Sequence, residues 1–391
     1  MVGEKQIIDN ILKHLKHGGL TVTYWDGDTQ TYGPAEPYAH ITIKDPKVMR
    51  AIIKNVTLGF GESYASGLIE IDGPLGGPAR FVNENSAGFS KLSKLRWPKL
   101  HKNTQSKQQG YIAHHYDLGN DFYKLWLDKS MTYSCAYYKT PTDKLEDAQQ
   151  QKVEHILKKL QLQSGHELLD IGSGWGTLLI TAAKEYGITG LGVTLSKEQL
   201  AHSKQAAKRA GVAGRVKFEL ANYQQLPERG LTFDRIVSVG MFEHVGQDNH
   251  NNYYRAIDKM LKSDGLSVLH TITQQTERPT DPWIDKYIFP GGYLPSNCEI
   301  ISAFPDHHFR LIDYENLRLH YAMTLEEWQQ RYNLHRKEVV KMFDERFYRM
   351  WDLWLACSAT AFRYGNLDLS QYVFTKGVQN DLPLTRDFLY K

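Results

Sequence analysis

Three side chains able to exchange protons lie within or just after two apolar segments in the second half of the chain. Glu243 and His244 follow the segment 233–239, and His270 interrupts the segment 266–272. A carboxylate is costly to bury without a partner, so its position at a strand end favours a catalytic role over a structural one. The pattern therefore predicts general acid–base chemistry. A metal site made of the same three side chains is the weaker alternative, because their spacing matches no ligand motif.

A glycine-dense turn follows another apolar segment, 167–171. It reads Asp170-Ile171-Gly172-Ser173-Gly174-Trp175-Gly176. Glycines adopt positive φ and carry no side chain, so an adenosine-containing ligand could lie directly on this turn. A dinucleotide fingerprint would need a glycine where Thr177 stands. The turn instead resembles motif I of S-adenosylmethionine-dependent methyltransferases, with a ligand-free tight turn as the alternative.

Strand-like and helix-like patterns alternate from residue 149 onward, which is typical of a parallel sheet with helices on both faces. Seven strands are predicted, at residues 167–171, 188–193, 216–220, 233–239, 266–272, 309–314 and 372–376. In such sheets ligands bind beyond the carboxyl ends of the strands. We therefore expect Glu243 and the glycine turn to meet at one edge of the sheet.

Two polar side chains follow the second and third of these strands. Gln199 could bind a ribose, but Ser196 and Gln199 also form a capping-box pattern that would stabilise a helix by itself. Asn222 stands where an adenine contact is expected, and its amide can both donate and accept hydrogen bonds. An ordinary loop asparagine is nearly as good an interpretation.

The chain has 391 residues, enough for one large and one small domain. Residues 1–85 are predicted to form an N-terminal accessory α+β domain, with a first amphipathic helix, strands near 21–24 and 40–44, a helix starting at Asp45-Pro46, and then many glycines. Residues 109–391 are predicted to form the S-adenosylmethionine-dependent catalytic domain.

A basic linker is predicted between the two domains, over residues 86–108. Its cations are Lys91, Lys94, Arg96, Lys99, Lys102 and Lys107. Clustered cations beside Trp97 suit an anionic bilayer surface, and a solvated linker is at least as good an interpretation.

Composition limits the class of protein. The net charge of +3 is too small to indicate nucleic-acid binding, and no apolar stretch approaches the roughly 18 residues that span a bilayer. The three cysteines, Cys135, Cys298 and Cys357, have neither disulfide-framework nor zinc-site spacing. We expect a cytoplasmic protein without a bound metal.

Further motifs give a resemblance to a known family. They are Gly59-Phe60-Gly61-Glu62-Ser63-Tyr64, Tyr116-Asp117-Leu118-Gly119-Asn120, Tyr133-Ser134-Cys135, Phe242-Glu243-His244-Val245-Gly246 and Tyr287-Ile288-Phe289-Pro290-Gly291-Gly292. With the glycine turn, the chain closely resembles the cyclopropane-fatty-acyl-phospholipid synthases over nearly its whole length. The related mycolic acid methyltransferases generally lack such an N-terminal domain. The resemblance implies an α/β class I S-adenosylmethionine-dependent methyltransferase fold, seven-stranded and Rossmann-like, with a small N-terminal α+β domain.

The resemblance also implies site residues. Contacts to S-adenosylmethionine fall on Tyr116, Tyr133, Ser134, Gly172, Gly174, Thr194, Gln199 and Asn222. A cage for catalytic bicarbonate falls on Cys135, Glu243, His270, Ile272 and Tyr321. Family members usually have an aspartate at the adenine loop where this chain has Asn222. Bicarbonate is the implied proton acceptor, and Glu243 acting directly as the base is the rival mechanism.

The activity implied is methylene transfer to cis double bonds of unsaturated phospholipid acyl chains, through a carbocation that loses a proton. The family's enzymes contact membranes peripherally, so we expect a cytoplasmic enzyme that meets membrane phospholipids, with no nucleic-acid partner and with homodimerisation left open. Candidates to stabilise the cation are Tyr287, Phe289, Tyr293, Phe304, Tyr321 and Trp354. One alternative is a methyltransferase acting on a small amine or another lipid, and another is a lipid-binding scaffold with a degenerate cofactor fold.

Overall fold

The computed structural model describes residues 3–85 and 118–390. Contacts divide the chain into two compact units. The smaller unit joins the N-terminal residues to Pro279–Ile288 and Ala322–Asn366, and the larger unit contains most of the remainder. The smaller unit therefore draws on segments far from the N-terminus in sequence. The predicted domain boundaries at residues 85 and 108 remain a prediction, and the basic linker lies outside the described residues.

The smaller unit contains a four-stranded sheet in the order β2-β1-β3-β4. Its strands are β1 Leu20–Thr23, β2 Thr29–Tyr32, β3 His40–Ile43 and β4 Ile69–Asp72. Its helices are Glu4–Leu12, Lys47–Lys54, Val56–Ala65, Gly77–Glu84, Pro282–Tyr287, Arg336–Met342 and Glu345–Tyr364. The predicted start signal at residue 45 is confirmed, since Asp45 Oδ1 accepts the backbone N–H of Lys47 at 2.8 Å.

The glycine-rich part of the N-terminal region contains two helices that the sequence pattern did not predict. Both glycines of helix Val56–Ala65 are required by close contacts within the smaller unit. A Cβ atom on Gly59 would lie 2.3 Å from the backbone of Ala51, and one on Gly61 would lie 2.3 Å from the Trp283 ring. Glycine is unfavourable in a helix, but here it lets two helices and a tryptophan approach closely.

The larger unit is built on a seven-stranded sheet in the order β10-β11-β9-β8-β5-β6-β7. The strands are β5 Glu167–Ile171, β6 Thr189–Thr194, β7 Val216–Leu220, β8 Phe233–Val239, β9 Leu261–Gln274, β10 Phe309–Asn316 and β11 Leu367–Lys376. All seven predicted strands are confirmed, and β9, β10 and β11 are longer than predicted. Strands β5 to β9 are parallel, whereas β11 runs antiparallel to both of its neighbours, β9 and β10.

Helices cover both faces of this sheet. They are Asn120–Lys124, Leu145–Lys159, Thr177–Tyr186, Lys197–Arg209, His250–Met260, Asn297–Ala303 and Asp387–Tyr390, and helix Arg318–Leu334 starts in this unit. Neighbouring strand residues such as Leu168 and Leu169 belong to different buried clusters, one on each face. None of the described helices is long and apolar enough to cross a bilayer.

The order of the strands fixes where a ligand can bind. From β5 the chain adds β6 and β7 on one side, and then returns to add β8 and β9 on the other. The carboxyl ends of β5 and β8 therefore border a topological switch point, where open α/β sheets leave a crevice.

Candidate functional site

A cavity opens at this switch point. It is lined by the glycine turn after β5, by residues that follow β6, β7 and β8, and by the segment 131–134. The predicted cofactor contacts that line it are Tyr133, Ser134, Gly172, Gly174, Thr194, Gln199 and Asn222. Tyr116 lies outside the described residues. The structure thus brings the described members of the predicted set together around one cavity.

Two glycines of the turn, Gly174 and Gly176, are needed for different structural reasons. Gly174 has φ +54°, and a Cβ atom built there would meet nothing within 4 Å, because it would project into open space. Gly176 has φ +94°, and its Cβ would lie 2.9 Å from both Phe218 and Ser203. Gly176 therefore lets the following helix pack tightly, while Gly174 leaves a bare backbone surface on which a ligand can lie.

Gln199 lies in the first turn of a helix, where its backbone N–H is capped by Ser196, and it also lines the cavity. Its backbone N–H donates to Ser196 Oγ at 3.3 Å, which closes the N-terminus of helix Lys197–Arg209. Its side-chain oxygen accepts the Thr194 hydroxyl at 2.7 Å, so the amide NH₂ remains for a ligand. Asn222 likewise accepts the backbone N–H of Gln224 at 3.0 Å and lines the cavity. Ser196 caps the helix as expected, but the reciprocal half of the capping box is not formed, because the Ser196 N–H donates to Thr194 Oγ1 at 3.2 Å instead of to Gln199. Ribose or adenine binding remains a prediction for both Gln199 and Asn222.

Glu243 is held at the carboxyl end of β8 by the neighbouring strand. It lies in a short helical turn, Phe242–His244, and its Oε1 accepts the backbone N–H of Ile272 in β9 at 2.7 Å. Its Oε2 is buried and has no hydrogen-bond partner among the described residues. Burial raises the pKa of Glu243 to about 7, and the backbone N–H groups of Ile272 and Glu243 together with the nearby Thr271 hydroxyl oppose that rise. The carboxyl group is therefore poised to gain or lose a proton near neutral pH.

His270 lies two residues before Ile272 on the same strand, so both side chains face the same side of the sheet. It is completely buried, and its Nδ1 accepts a hydrogen bond from the Gln371 side-chain amide at 3.0 Å. Burial holds the pKa of His270 well below its ordinary value, so the ring is neutral. Because Nδ1 accepts, Nε2 carries the proton, and Nε2 has no partner among the described residues.

Cys135 and Tyr321 complete the predicted cage residues. Cys135 directly follows the cavity residue Ser134, is fully buried, and its thiol contacts the carbonyl of Ala136 at 3.1 Å. Tyr321 lies in the first turn of helix Arg318–Leu334. That helix starts next to β11, because the Leu317 N–H donates to the Leu369 carbonyl at 2.7 Å. Leu369 pairs with Ile272 in the sheet, so the start of the helix is near the strand that carries His270.

Other candidates from the sequence have different positions. His244 lines the cavity beside the Phe289 ring, and burial lowers its pKa to about 4. Phe304 packs in the core between Phe309 and Phe374, so it is not available to a substrate. Among the residues in 3–85 and 118–390, no group of three or more acidic, histidine or cysteine side chains is arranged to hold a metal ion.

Lys152 is a cavity residue that the sequence interpretation missed. It is buried in helix Leu145–Lys159 and its Nζ donates to Ser134 Oγ at 2.8 Å. A signal for it was present, because Ala148, Lys152 and Ile156 are spaced four apart on the buried face of that helix. A lysine on such a face indicates a buried polar site.

The bare turn predicts a specific effect of adding one methyl group. Gly174→Ala and Gly230→Ala both put alanine at left-handed φ in open space, so each should lose about 1 kcal/mol of unfolding free energy. Gly174→Ala alone should weaken binding of S-adenosylhomocysteine, by about tenfold or 1.4 kcal/mol, because Gly174 lines the cavity and Gly230 does not. Calorimetric titration and thermal unfolding measure both effects. Equal affinities in the two variants would show that the ligand does not lie on the turn.

The family comparisons agree with this geometry. The family model described as mycolic acid cyclopropane synthetase matches residues 102–372, and a model for a domain of unknown function matches residues 7–93. The chain is 39% identical over 356 residues to the cyclopropane-fatty-acyl-phospholipid synthase of Escherichia coli strain K12, covering 89% of this chain and 91% of that protein. It is 35% identical over 384 residues to a probable fatty acid methyltransferase of Pseudomonas putida, covering 96% of this chain and 97% of that protein.

A solved structure supports the fold and the cofactor. Mycolic acid cyclopropane synthase CmaA1, complexed with S-adenosylhomocysteine and CTAB, superposes with a TM-score of 0.65 and 32% identity over 68% of this chain and 98% of that chain. The predicted resemblance is therefore confirmed, and S-adenosylmethionine is the cofactor that it indicates. This chain is an enzyme of the mycolic acid cyclopropane synthetase family and has the class I S-adenosylmethionine-dependent methyltransferase fold.

Proposed function

We propose that this enzyme transfers a methylene group from S-adenosylmethionine to cis double bonds of unsaturated phospholipid acyl chains, which forms cyclopropane fatty acids. The observation that carries the proposal is that Glu243, which follows β8, and His270, in the neighbouring strand β9, are both buried and each have a polar atom without a partner among the described residues. Closure of a cyclopropane ring removes a proton from the transferred methyl carbon, so this reaction needs a proton acceptor inside the site. The Escherichia coli relative is a cyclopropane-fatty-acyl-phospholipid synthase and the Pseudomonas putida relative a probable fatty acid methyltransferase, which supports a lipid substrate.

The cavity residues fit the cofactor. S-Adenosylmethionine supplies an electrophilic methyl group when it is bound. Gly174 gives the bare backbone surface, the Gln199 amide and Asn222 supply polar contacts at one end of the cavity, and Ser134 supplies a hydroxyl at the other. An alkene is a weak nucleophile, so the protein must orient it and keep water out.

Two buried atoms without partners among the described residues would hold the group that removes the proton. Glu243 Oε2 can accept a hydrogen bond, and the Nε2–H of His270 can donate one. Bicarbonate has an O–H and acceptor oxygens, so it complements both atoms, and it supplies a proton acceptor when bound. Glu243 would position bicarbonate, and the Ile272 N–H, which donates to Glu243 Oε1, holds the carboxylate in place for this role. Two buried polar atoms of opposite type support a bicarbonate site, and Glu243 acting directly as the base is the rival mechanism that the bicarbonate experiment below distinguishes.

A phospholipid substrate requires contact with a bilayer, so the proposal includes a cytoplasmic enzyme that binds membranes peripherally. The predicted contact is the basic segment that contains Lys94, Arg96 and Lys99. Homodimerisation remains a prediction.

The substrate class is tested with purified protein, S-adenosylmethionine and phospholipid vesicles whose acyl chains are either cis-monounsaturated or saturated. The released fatty acids are analysed by mass spectrometry, with a panel of small amines assayed in parallel. We expect a cyclopropane product from the unsaturated vesicles only. Methylated amines without a lipid product would contradict the proposal.

A further inference from the structure

A buried cation in the cavity wall has no role in the mechanism so far. Lys152 is 2% exposed, and it projects from helix Leu145–Lys159 into the wall of the cofactor cavity. Lysine is almost never this buried unless an anion or a strong acceptor compensates its charge. The compensation available within the described residues is incomplete, which points to a ligand.

The described partners of Lys152 are a hydroxyl and more distant acids. Its Nζ donates to Ser134 Oγ at 2.8 Å. Burial lowers the pKa of Lys152 to about 8, and the electrostatic effects of Cys135, Asp128 and Asp170, none of which forms an ion pair with it, oppose this fall. The Asp128 carboxylate is already used by the backbone N–H groups of Ser130 and Thr132.

The hydrogen bond from Lys152 fixes the role of Ser134. An ammonium group can only donate, so Ser134 Oγ must accept, and its own hydroxyl proton is then directed elsewhere. Ser134 lines the cavity. A lysine charge and a serine O–H donor at one place make an anion site.

The position of Ser134 relative to the sheet indicates which part of the cofactor would lie beside it. A Cβ atom on Gly240, just after β8, would lie 3.8 Å from Ser134 Cβ, whereas Asn222 follows β7. Strands β8 and β7 are separated by β5 and β6 in the sheet. A nucleoside bound near Asn222 therefore leaves the amino-acid tail of the cofactor near Ser134 and Lys152.

We propose that Lys152 is a positioning residue that recognises the carboxylate of S-adenosylmethionine through the Ser134 hydroxyl. The carboxylate is the only anionic group of this cofactor, and the inference rests on the proposed function. Lys152 also interacts electrostatically with Cys135 and His270, so a bicarbonate site is the competing source of an anion. The carboxylate is favoured because the direct hydrogen bond from Lys152 goes to the cavity residue Ser134.

The test compares two ligands that differ in the amino-acid tail. S-Adenosylhomocysteine carries the carboxylate, and methylthioadenosine lacks the whole tail. By calorimetric titration, Lys152→Met should weaken S-adenosylhomocysteine binding by about 10- to 100-fold, as expected for loss of a charge-assisted contact, and leave methylthioadenosine binding within about twofold. Ser134→Ala should give the same selective loss, and the double variant should lose little more than either single variant, because the two residues act as one unit.

Several outcomes would overturn the proposal. Unchanged binding of both ligands in Lys152→Met, with a higher bicarbonate requirement for turnover, would assign the lysine to the bicarbonate site. Equal weakening of both ligands would mean that Lys152 only supports the fold, and Ser134→Ala keeps the test valid if Lys152→Met does not fold. Lys158→Met, on the same helix and outside the cavity, is the control and should bind both ligands like the unmodified protein. If the unmodified protein binds neither ligand, the proposed function itself fails, which is a separate result.

Discussion

Glu243→Gln is expected to lower the turnover number by about 10²- to 10⁴-fold, the range typical for loss of a group in proton transfer. Binding of S-adenosylhomocysteine should change little, because Glu243 is not among the residues that line the cavity. Glutamine keeps the volume and can still accept the Ile272 N–H, which Oε1 accepts at 2.7 Å in the native protein. The loss would therefore reflect the missing negative charge. Single-turnover kinetics and calorimetric titration measure the two effects.

Glu299→Gln is the matched control for this experiment. Glu299 also lies in the larger unit and accepts hydrogen bonds from Tyr293 and from the backbone N–H of Ser296, but it lies outside the cavity. Its substitution should alter stability slightly and leave turnover unchanged. If Glu243→Gln lost cofactor affinity as strongly as turnover, Glu243 would be a cofactor ligand and the acid–base assignment would be wrong.

The raised pKa of Glu243 predicts how both stability and turnover depend on pH. The folded-state pKa is about 7 and the unfolded value is 4.5, so Glu243 favours the folded state most at low pH, and that contribution is lost as the pH rises from 4.5 to 7. Removing the charge should therefore raise the melting temperature of Glu243→Gln more at pH 8 than at pH 5. Turnover of the native enzyme should fall below about pH 7, as Glu243 becomes protonated. Identical melting temperature differences at both pH values would contradict the burial of an ionised carboxylate.

His270→Leu is expected to reduce turnover by about 10²- to 10³-fold, because in the proposed mechanism the buried Nε2–H of His270 donates to the bicarbonate that accepts the proton. It should also raise the bicarbonate concentration that gives half-maximal turnover, since the Nε2–H of His270 is one of the two atoms left to hold that ion. Initial rates in carbonate-depleted buffer, with bicarbonate added back, measure this shift. Cofactor affinity should remain unchanged.

His307→Leu controls for the loss of a buried histidine. His307 is also largely buried, and its ring already has a partner, Asn251, at 2.8 Å. This variant should lose stability without changing the bicarbonate requirement. If His270→Leu left that requirement unchanged while turnover fell, the proton acceptor would have to be Glu243 itself.

Features that depend on local pattern could be predicted from the sequence. The seven strands of the larger sheet and the glycine turn were predictable because runs of apolar residues and closely spaced glycines act within a few residues of each other. The helix over Val56–Ala65 was not predictable in this way, because its glycines are required by close contacts with Ala51 and Trp283, which belong to other elements. It was also not predictable that Ala322–Asn366 belongs to the same compact unit as the N-terminal residues, because this grouping depends on contacts distant in sequence.

In the candidate site, too, the features set by local sequence could be predicted, and those set by contacts distant in sequence could not. Residues that follow strand ends, such as Glu243 and Asn222, could be placed at one edge because parallel strands end together. The bond from Ile272 to Glu243 required the register between β8 and β9, which no local pattern specifies. The partnership of Lys152 with Ser134 depends on how one helix packs against a loop, so it appears only in the structure.

The most direct test of the central claim follows the hydrogen atoms of the transferred carbon. S-Adenosylmethionine with a fully deuterated methyl group is incubated with the enzyme and vesicles of cis-unsaturated phospholipid, and the released fatty acids are analysed by mass spectrometry. The account predicts two deuterium atoms on each modified acyl chain, because one is removed as a proton when the ring closes. Retention of three deuterium atoms, on a lipid or on an amine, would mean simple methylation and would contradict the account.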